Sequence, residues 1–187
     1  MTLILLTLLI CYTLLFLYSL RIRDNSIVDV FWGFGFMVIA VLSWLQSEQG
    51  IVQYAVTGLV LLWGIRLTSH IGFRKLREGK EDPRYAAWRE EWGSGWYFMV
   101  RSYLQVYMLQ MLLMLVVAMP ILVVNLSVIP ADAGIQFFLI IGIIIALSGL
   151  VFETIADLQL KEFLKIKKLG QIFTTGLYRY SRHPNYF

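Results

Sequence analysis

Cysteine, histidine and charge are all scarce in this sequence, and each shortage closes a class of explanation. The one cysteine, Cys11, lies in an apolar run, so no disulfide framework or cysteine-based metal cluster can form within the chain. The two histidines, His70 and His183, are too few for a histidine-rich metal centre. Charged residues make up 15% of the 187 positions, against ~25% in ordinary soluble domains. Hydrophobic residues make up 59%, which points to an integral membrane protein. The first apolar run has no positive flank before it and no small-residue cleavage site after it, and it is too long for a secretory signal. It reads as a retained transmembrane helix. No internal repeat and no low-complexity linker divides the chain, so a single membrane domain over 1–187 is expected.

What is present is five apolar runs, at 2–20, 27–45, 51–69, 102–124 and 135–157. Each has about the ~20 residues that a helix needs to cross hydrocarbon. The expected fold is an all-α, polytopic transmembrane bundle of five spans. Orientation follows from Lys and Arg. All 16 fall on one side of the five-span arrangement, while the breaks 46–50 and 125–134 carry only Glu48 and Asp132. The positive-inside rule then places the N-terminus outside and the tail, 158–187, in the cytoplasm.

The long basic break contains a short helix near 83–92. Asp82 suits its N-cap, Pro83 its first position and Gly93 its stop. Tyr85, Trp88 and Trp92 share one face, which fits anchoring at headgroup level, with substrate contact as the alternative. In the fourth span, Tyr103, Tyr107, Met111 and Met114 recur at helical spacing and read as packing, and Pro120 favours a kink. The fifth span carries Gly142 and Ala146, a small-residue pair that permits close helix approach. Its helical spacing continues through Lys168 to a first breaker at Gly170.

Charges within spans are the informative anomaly, since one at mid-bilayer costs roughly 2.5–3.5 kcal/mol on insertion scales. Glu153 and Asp157 lie four apart on one helix face. They either grip ribose hydroxyls or tail arginines, or form an Asp157–Lys161 interfacial pair. Arg66 and His70, also four apart, face those carboxylates, a phosphate or lipid headgroups. Asp29, beside Phe31-Trp32-Gly33, is the best internal candidate for a proton donor or orienting carboxylate; the alternative is a packing pair with Arg21 or Arg66. The tail from Gly176 groups Tyr178, Arg179, Tyr180, Arg182, His183, Asn185 and Tyr186 around Gly176 and Pro184. Arginine forks suit phosphate oxygens and aromatics suit flat rings. The tail reads as a site for a phosphorylated or nucleotide-like ligand, or as a basic loop on lipid headgroups.

Asp29-x-x-Trp32-Gly33, Trp63-Gly64-x-Arg66-Leu67, Glu81-Asp82-Pro83-Arg84-Tyr85, Glu153-x-x-x-Asp157-x-Gln159-Leu160 and the run from Gly176 to Phe187 appear in that order. From Asn25 onward the chain resembles a bacterial membrane family of unknown function. That family lies in the superfamily of steroid 5-alpha-reductases, sterol reductases and isoprenylcysteine carboxyl methyltransferases. The resemblance implies a protein of the bacterial inner membrane with the bilayer and a lipid-like small molecule as partners, and no nucleic acid. It implies NADPH bound by Arg182, His183, Asn185 and Tyr186, with Glu153 and Asp157 touching the cofactor. Tyr178, Arg179 and Arg66 join that expected set. The implied reaction is reduction of a carbon–carbon double bond, with Asp29 as tentative proton donor or orienter. In the methyltransferases the matching segment binds S-adenosylmethionine, which is the alternative. Where steroid 5-alpha-reductases carry a catalytic tyrosine, this chain has Trp63. The family also continues beyond the tail motif, so the resemblance implies a C-terminally truncated member, and a non-catalytic membrane remnant is the third reading.

Overall fold

The computed structural model describes residues 1–130, 132–168 and 170–186, so Phe187, the last residue of the tail motif, lies outside the described residues. The fold is all-α, with no strand among the described residues. Among the described residues eight α-helices follow in order: α1 (Thr2–Ile22), α2 (Ile27–Trp44), α3 (Ile51–Glu78), α4 (Pro83–Trp92), α5 (Trp96–Arg101), α6 (Leu109–Val117), α7 (Met119–Leu126) and α8 (Ala133–Ile166). A π-helical stretch, Ser102–Met108, joins α5 to α6. Two 3₁₀ turns, Gly176–Arg179 and Pro184–Tyr186, follow α8. Among the described residues five segments are long and apolar enough to cross a bilayer: α1, α2, α3, the run Trp96–Val117, and α8. The fourth therefore starts six residues before its expected position, directly after the Gly93-Ser94-Gly95 break. It ends at a break at Ala118, two residues before Pro120, which occupies the first turn of α7. Proline is tolerated there because the first-turn N–H groups have no intrahelical partner.

The chain divides into two compact units, Met1–Ala131 and Asp132–Phe187. In the first, α1 buries Ile4, Leu8, Tyr12 and Phe16, a stripe of every fourth residue. Outward-facing leucines on the same helix stay exposed, as lipid-facing positions do. Helices α2 and α3 meet at Gly33 and Gly64. A Cβ on Gly33 would lie 2.6 Å from the Gly64 carbonyl oxygen, and one on Gly64 would lie 2.8 Å from the Gly33 carbonyl oxygen. The close helix approach is thus made here. At Gly142, where the sequence pattern favoured one, an added Cβ would meet nothing within 4 Å. At the far end of the bundle, Asn125 on α7 is fully buried and donates to the Ala40 carbonyl (3.2 Å), Ser43 Oγ (2.8 Å) and Thr57 Oγ1 (3.2 Å). This side chain ties α7 to both α2 and α3.

The charged end of this unit is clasped. Helix α3 runs well past its apolar part, to a left-handed Gly79 cap, with Lys75 and Arg77 in its last turn, where the helix dipole favours cations. Lys75 bridges Asp24, donates to Ser26 Oγ (2.5 Å) and donates to the Lys80 carbonyl (2.7 Å). Helix α4 starts where Asp82 accepts from the Arg84 N–H at 2.9 Å. Its aromatic face turns inward: Tyr85 and Trp92 are 4% and 7% exposed and belong to the core, while Trp88 is 41% exposed. Of the three aromatics only Trp88 is left exposed, and Tyr85 is turned inward.

In the second unit α8 runs for 34 residues, about 51 Å. The following chain turns back along its charged end. Gly176 makes the turn with φ +60°, and Gln159 lies where a side chain would point. Gln159 Oε1 accepts from the Leu177 N–H at 2.9 Å. Phe173 stacks on Phe163 with ring centroids 4.6 Å apart and packs on Tyr178 at the same separation.

Candidate functional site

Asp29 and Trp32, three residues apart on α2, point into one hydrogen-bonded chain. Tyr85 Oη donates to Asp29 Oδ1 at 2.6 Å, and Arg84 Nη2 reaches Asp29 Oδ2 at 3.1 Å. Gln110 Nε2 donates to Tyr85 Oη at 3.1 Å, while Gln110 Oε1 accepts from Trp32 Nε1 at 2.6 Å. Three elements thus supply one relay: α2 the carboxylate and indole, α4 the phenol and guanidinium, α6 the amide. The partners of Asp29 are Tyr85 and Arg84, in place of the Arg21 or Arg66 pair weighed from the sequence. Burial raises the Tyr85 phenol above its ordinary range, and its hydrogen bond to Asp29 adds to the rise. Tyr85 is a neutral donor held against a carboxylate, an arrangement able to hold or pass a proton.

A second network locks this relay in place. Arg89 forms a two-pronged pair with Glu81, both contacts at 2.9 Å. Glu81 Oε1 also accepts from the Asn25 N–H at 2.7 Å. The buried Asn25 side chain accepts from Ser19 Oγ and donates to Ser102 Oγ, joining α1 to the π-helical stretch. Asp24 and Asp82 flank it. Burial alone would raise Asp24, but hydrogen bonds from Lys75 and Ser26 outweigh it and hold the carboxyl below its usual range. The Arg84 side chain does the same for Asp82. Arg66 lies half-buried on α3, one turn before His70.

The remaining expected residues belong to the second unit. Glu153 and Asp157 are both buried on one face of α8. Asn185 Nδ2 donates to Asp157 Oδ1 at 3.1 Å, so the tail is pinned to α8 at both Gln159 and Asp157. His183 and Tyr186 stack, with centroids 5.2 Å apart and planes 14° from parallel. Arg179, Arg182 and His183 are exposed, and Tyr186 is 81% exposed. The Tyr178 hydroxyl is buried with no hydrogen-bond partner among the described residues. Burial raises its pKa, and the nearby negative charge of Asp157 raises it further. A buried hydroxyl without a partner costs free energy, and a ligand oxygen or nitrogen would satisfy it. The pinned tail thus offers two exposed guanidinium groups, an aromatic face and a buried hydroxyl without a partner among the described residues. That donor set fits a phosphate-bearing nucleotide.

Asp29 stands out in the sequence, but its relay does not. Tyr85 is 56 residues away, Gln110 is 81 away, and only the fold joins them. The one local hint was the Asp29–Trp32 spacing, which puts both on one helix face. Among the described residues no cluster of His, Cys, Asp or Glu is placed to hold a metal ion.

Five apolar segments, half-buried charges joined in hydrogen-bonded networks and a tail folded onto the last long helix define a polytopic α-helical membrane protein. Its family follows from the match of residues 15–187: the chain belongs to the family described as Protein of unknown function (DUF1295). No curated protein and no solved structure matches it.

Proposed function

We propose that this protein is a membrane oxidoreductase that binds NADPH through its tail and reduces a carbon–carbon double bond of a lipid-like substrate. The observation that carries the reading is the tail, fixed by the Leu177–Gln159 and Asn185–Asp157 hydrogen bonds so that Arg179 and Arg182 stand exposed beside the His183–Tyr186 stack. NADPH brings pyrophosphate and a 2′-phosphate, and guanidinium forks match such oxygens. Its flat rings suit the exposed Tyr186 face. S-adenosylmethionine carries no phosphate, and its single carboxylate occupies one guanidinium fork where NADPH offers phosphate oxygens to both. The resemblance to sterol reductases supports the same choice, as do the matching positions Glu153, Asp157 and His183.

Bound NADPH supplies a hydride. The chain's own part is to orient the cofactor and manage one proton. Arg179 and Arg182 take phosphate oxygens, and Tyr178 donates its otherwise unpartnered hydroxyl. Within the first unit taken by itself, Asp29 orients the Tyr85 hydroxyl for proton transfer, and Gln110 holds the phenol from its other side. In this reading the basic end of the bundle faces the cytoplasm, where NADPH is available, and the bilayer delivers the substrate.

The test is a thermal-shift titration of the detergent-purified chain with NADPH and, separately, with S-adenosylmethionine. A ligand that binds only the folded state stabilises it by about 2.7 kcal/mol at a hundredfold excess over Kd. A saturable shift with NADPH that disappears in Arg182→Ala is expected. A shift with S-adenosylmethionine alone would assign the protein to methyl transfer instead.

A further inference from the structure

A groove of about 410 Å³ lies in the first unit, lined by Trp88, Glu91, Trp92, Arg101, Gln105 and Leu109. It takes no part in the Asp29 relay. Trp88 and Trp92 stack face to face, with centroids 5.5 Å apart and planes 9° from parallel. Arg101 lies over the Trp92 ring at 5.2 Å and over the Tyr97 ring at 5.5 Å, and its Nη1 donates to Tyr97 Oη at 3.0 Å. The guanidinium is thereby fixed in orientation, with further N–H groups unspent. Glu91 puts the opposite charge on the same groove. Gln105 belongs to the π-helical stretch, a backbone irregularity frequent at functional sites.

The surroundings set the depth. Trp96 and Tyr97, at the start of the fourth span, are 72% and 49% exposed, as an aromatic belt at the headgroup level is. Leu104, Leu109, Leu112 and Leu113 continue from there as an exposed apolar track along the same span. A groove that carries one cation and one anion above an acyl-compatible track is complementary to a zwitterion with a tail.

We propose that this groove is a binding site for an aminophospholipid, with the phosphate on Arg101 and Gln105 and the primary ammonium on Glu91. The Trp88–Trp92 stack covers the headgroup methylenes, and one acyl chain follows the leucine track. An anionic phospholipid without an amine satisfies Arg101 but offers Glu91 no cation. The site therefore discriminates by headgroup as well as by net charge.

The full-length chain, delipidated in detergent, is titrated with phosphatidylethanolamine and with phosphatidylglycerol of the same acyl composition, and melting is followed by tryptophan fluorescence. Phosphatidylethanolamine is expected to raise the Tm saturably, at a midpoint concentration about tenfold below that of phosphatidylglycerol, the ratio set by one charge-assisted contact. Glu91→Gln should bring the two lipids to parity while leaving the unliganded Tm unchanged, because the Glu91 side chain is exposed. Arg101→Gln should remove both responses, and Arg101→Lys should retain a weakened one. Equal response of the unaltered chain to both lipids, or a persisting preference in Glu91→Gln, overturns the proposal. So does a shift of the same size with soluble glycerophosphoethanolamine, which would make the free headgroup the occupant.

Discussion

Tyr85 sits where three influences meet: burial, the Asp29 carboxylate and the Gln110 amide. Tyr85→Phe removes a hydrogen bond to a charged group and leaves two polar partners short, so a loss of roughly 1.5–3 kcal/mol in stability is expected, read as a lower midpoint in thermal or denaturant unfolding. The same phenol predicts alkaline sensitivity. Its folded pKa is raised, so the unfolded chain ionises first, near its ordinary ~10. Its stabilising contribution is complete below that pH and falls as the pH rises past it, and Tyr85→Phe should flatten that part of a stability profile. Gly33 makes a different residue-scale demand. A methyl group there would lie 2.5 Å from Thr68 Oγ1 and 2.6 Å from the Gly64 carbonyl oxygen. Gly33→Ala should therefore force α2 and α3 apart and cost about 1–3 kcal/mol by overpacking. None of these partners can be read from the sequence, because each lies on another helix and the register between helices is set by packing.

At the scale of elements, local rules were enough for some boundaries. Asp82, Pro83 and Gly93 delimit α4 as their cap chemistry requires. The helical spacing of charges past the fifth apolar run extends α8 to Ile166. Other features obey longer-range constraints. The π-helical stretch Ser102–Met108 has no propensity signal, and it sits where Ser102 and Tyr107 contact Asn25. The aromatic face of α4 looked interfacial because Tyr and Trp suit headgroups, but tertiary partners pulled Tyr85 and Trp92 into the core. The clasp that docks α4 has a pH dependence of its own. Asp24 and Asp82 have depressed folded pKa values, so in acid the unfolded chain takes up protons first, around its ordinary ~3.9. Their stabilisation is present above that pH and is lost as the pH falls below it through their folded values. Protection of α4 amides against hydrogen exchange, relative to their intrinsic rates, should fall below about pH 4, ahead of protection in α2. Simultaneous loss of protection in both helices would show that the clasp does not act separately.

Considered as a molecule, the all-α fold and its five membrane-crossing segments were legible because bilayer thickness fixes helix length and hydropathy alike. Expected and observed spans differ by a few residues at most ends. The larger differences fall where a helix leaves the apolar region, as α3 does to reach Glu78, and at the fourth span, which starts at Trp96. The tail was legible as a cluster of residue types, while its pinning by Gln159 and Asp157 was not. That pinning carries the functional reading, because it turns a basic segment into a shaped surface with Arg179 and Arg182 outward. The most direct measurement is equilibrium binding of NADPH and NADH to the purified chain and to Arg179→Ala/Arg182→Ala. The two dinucleotides differ only in the 2′-phosphate, so a preference for NADPH of about tenfold or more is expected, one charge-assisted contact being worth roughly that factor. The preference should vanish in the double variant. Equal affinity for both dinucleotides, or a preference that survives the double substitution, would contradict the assignment of the tail as the NADPH site.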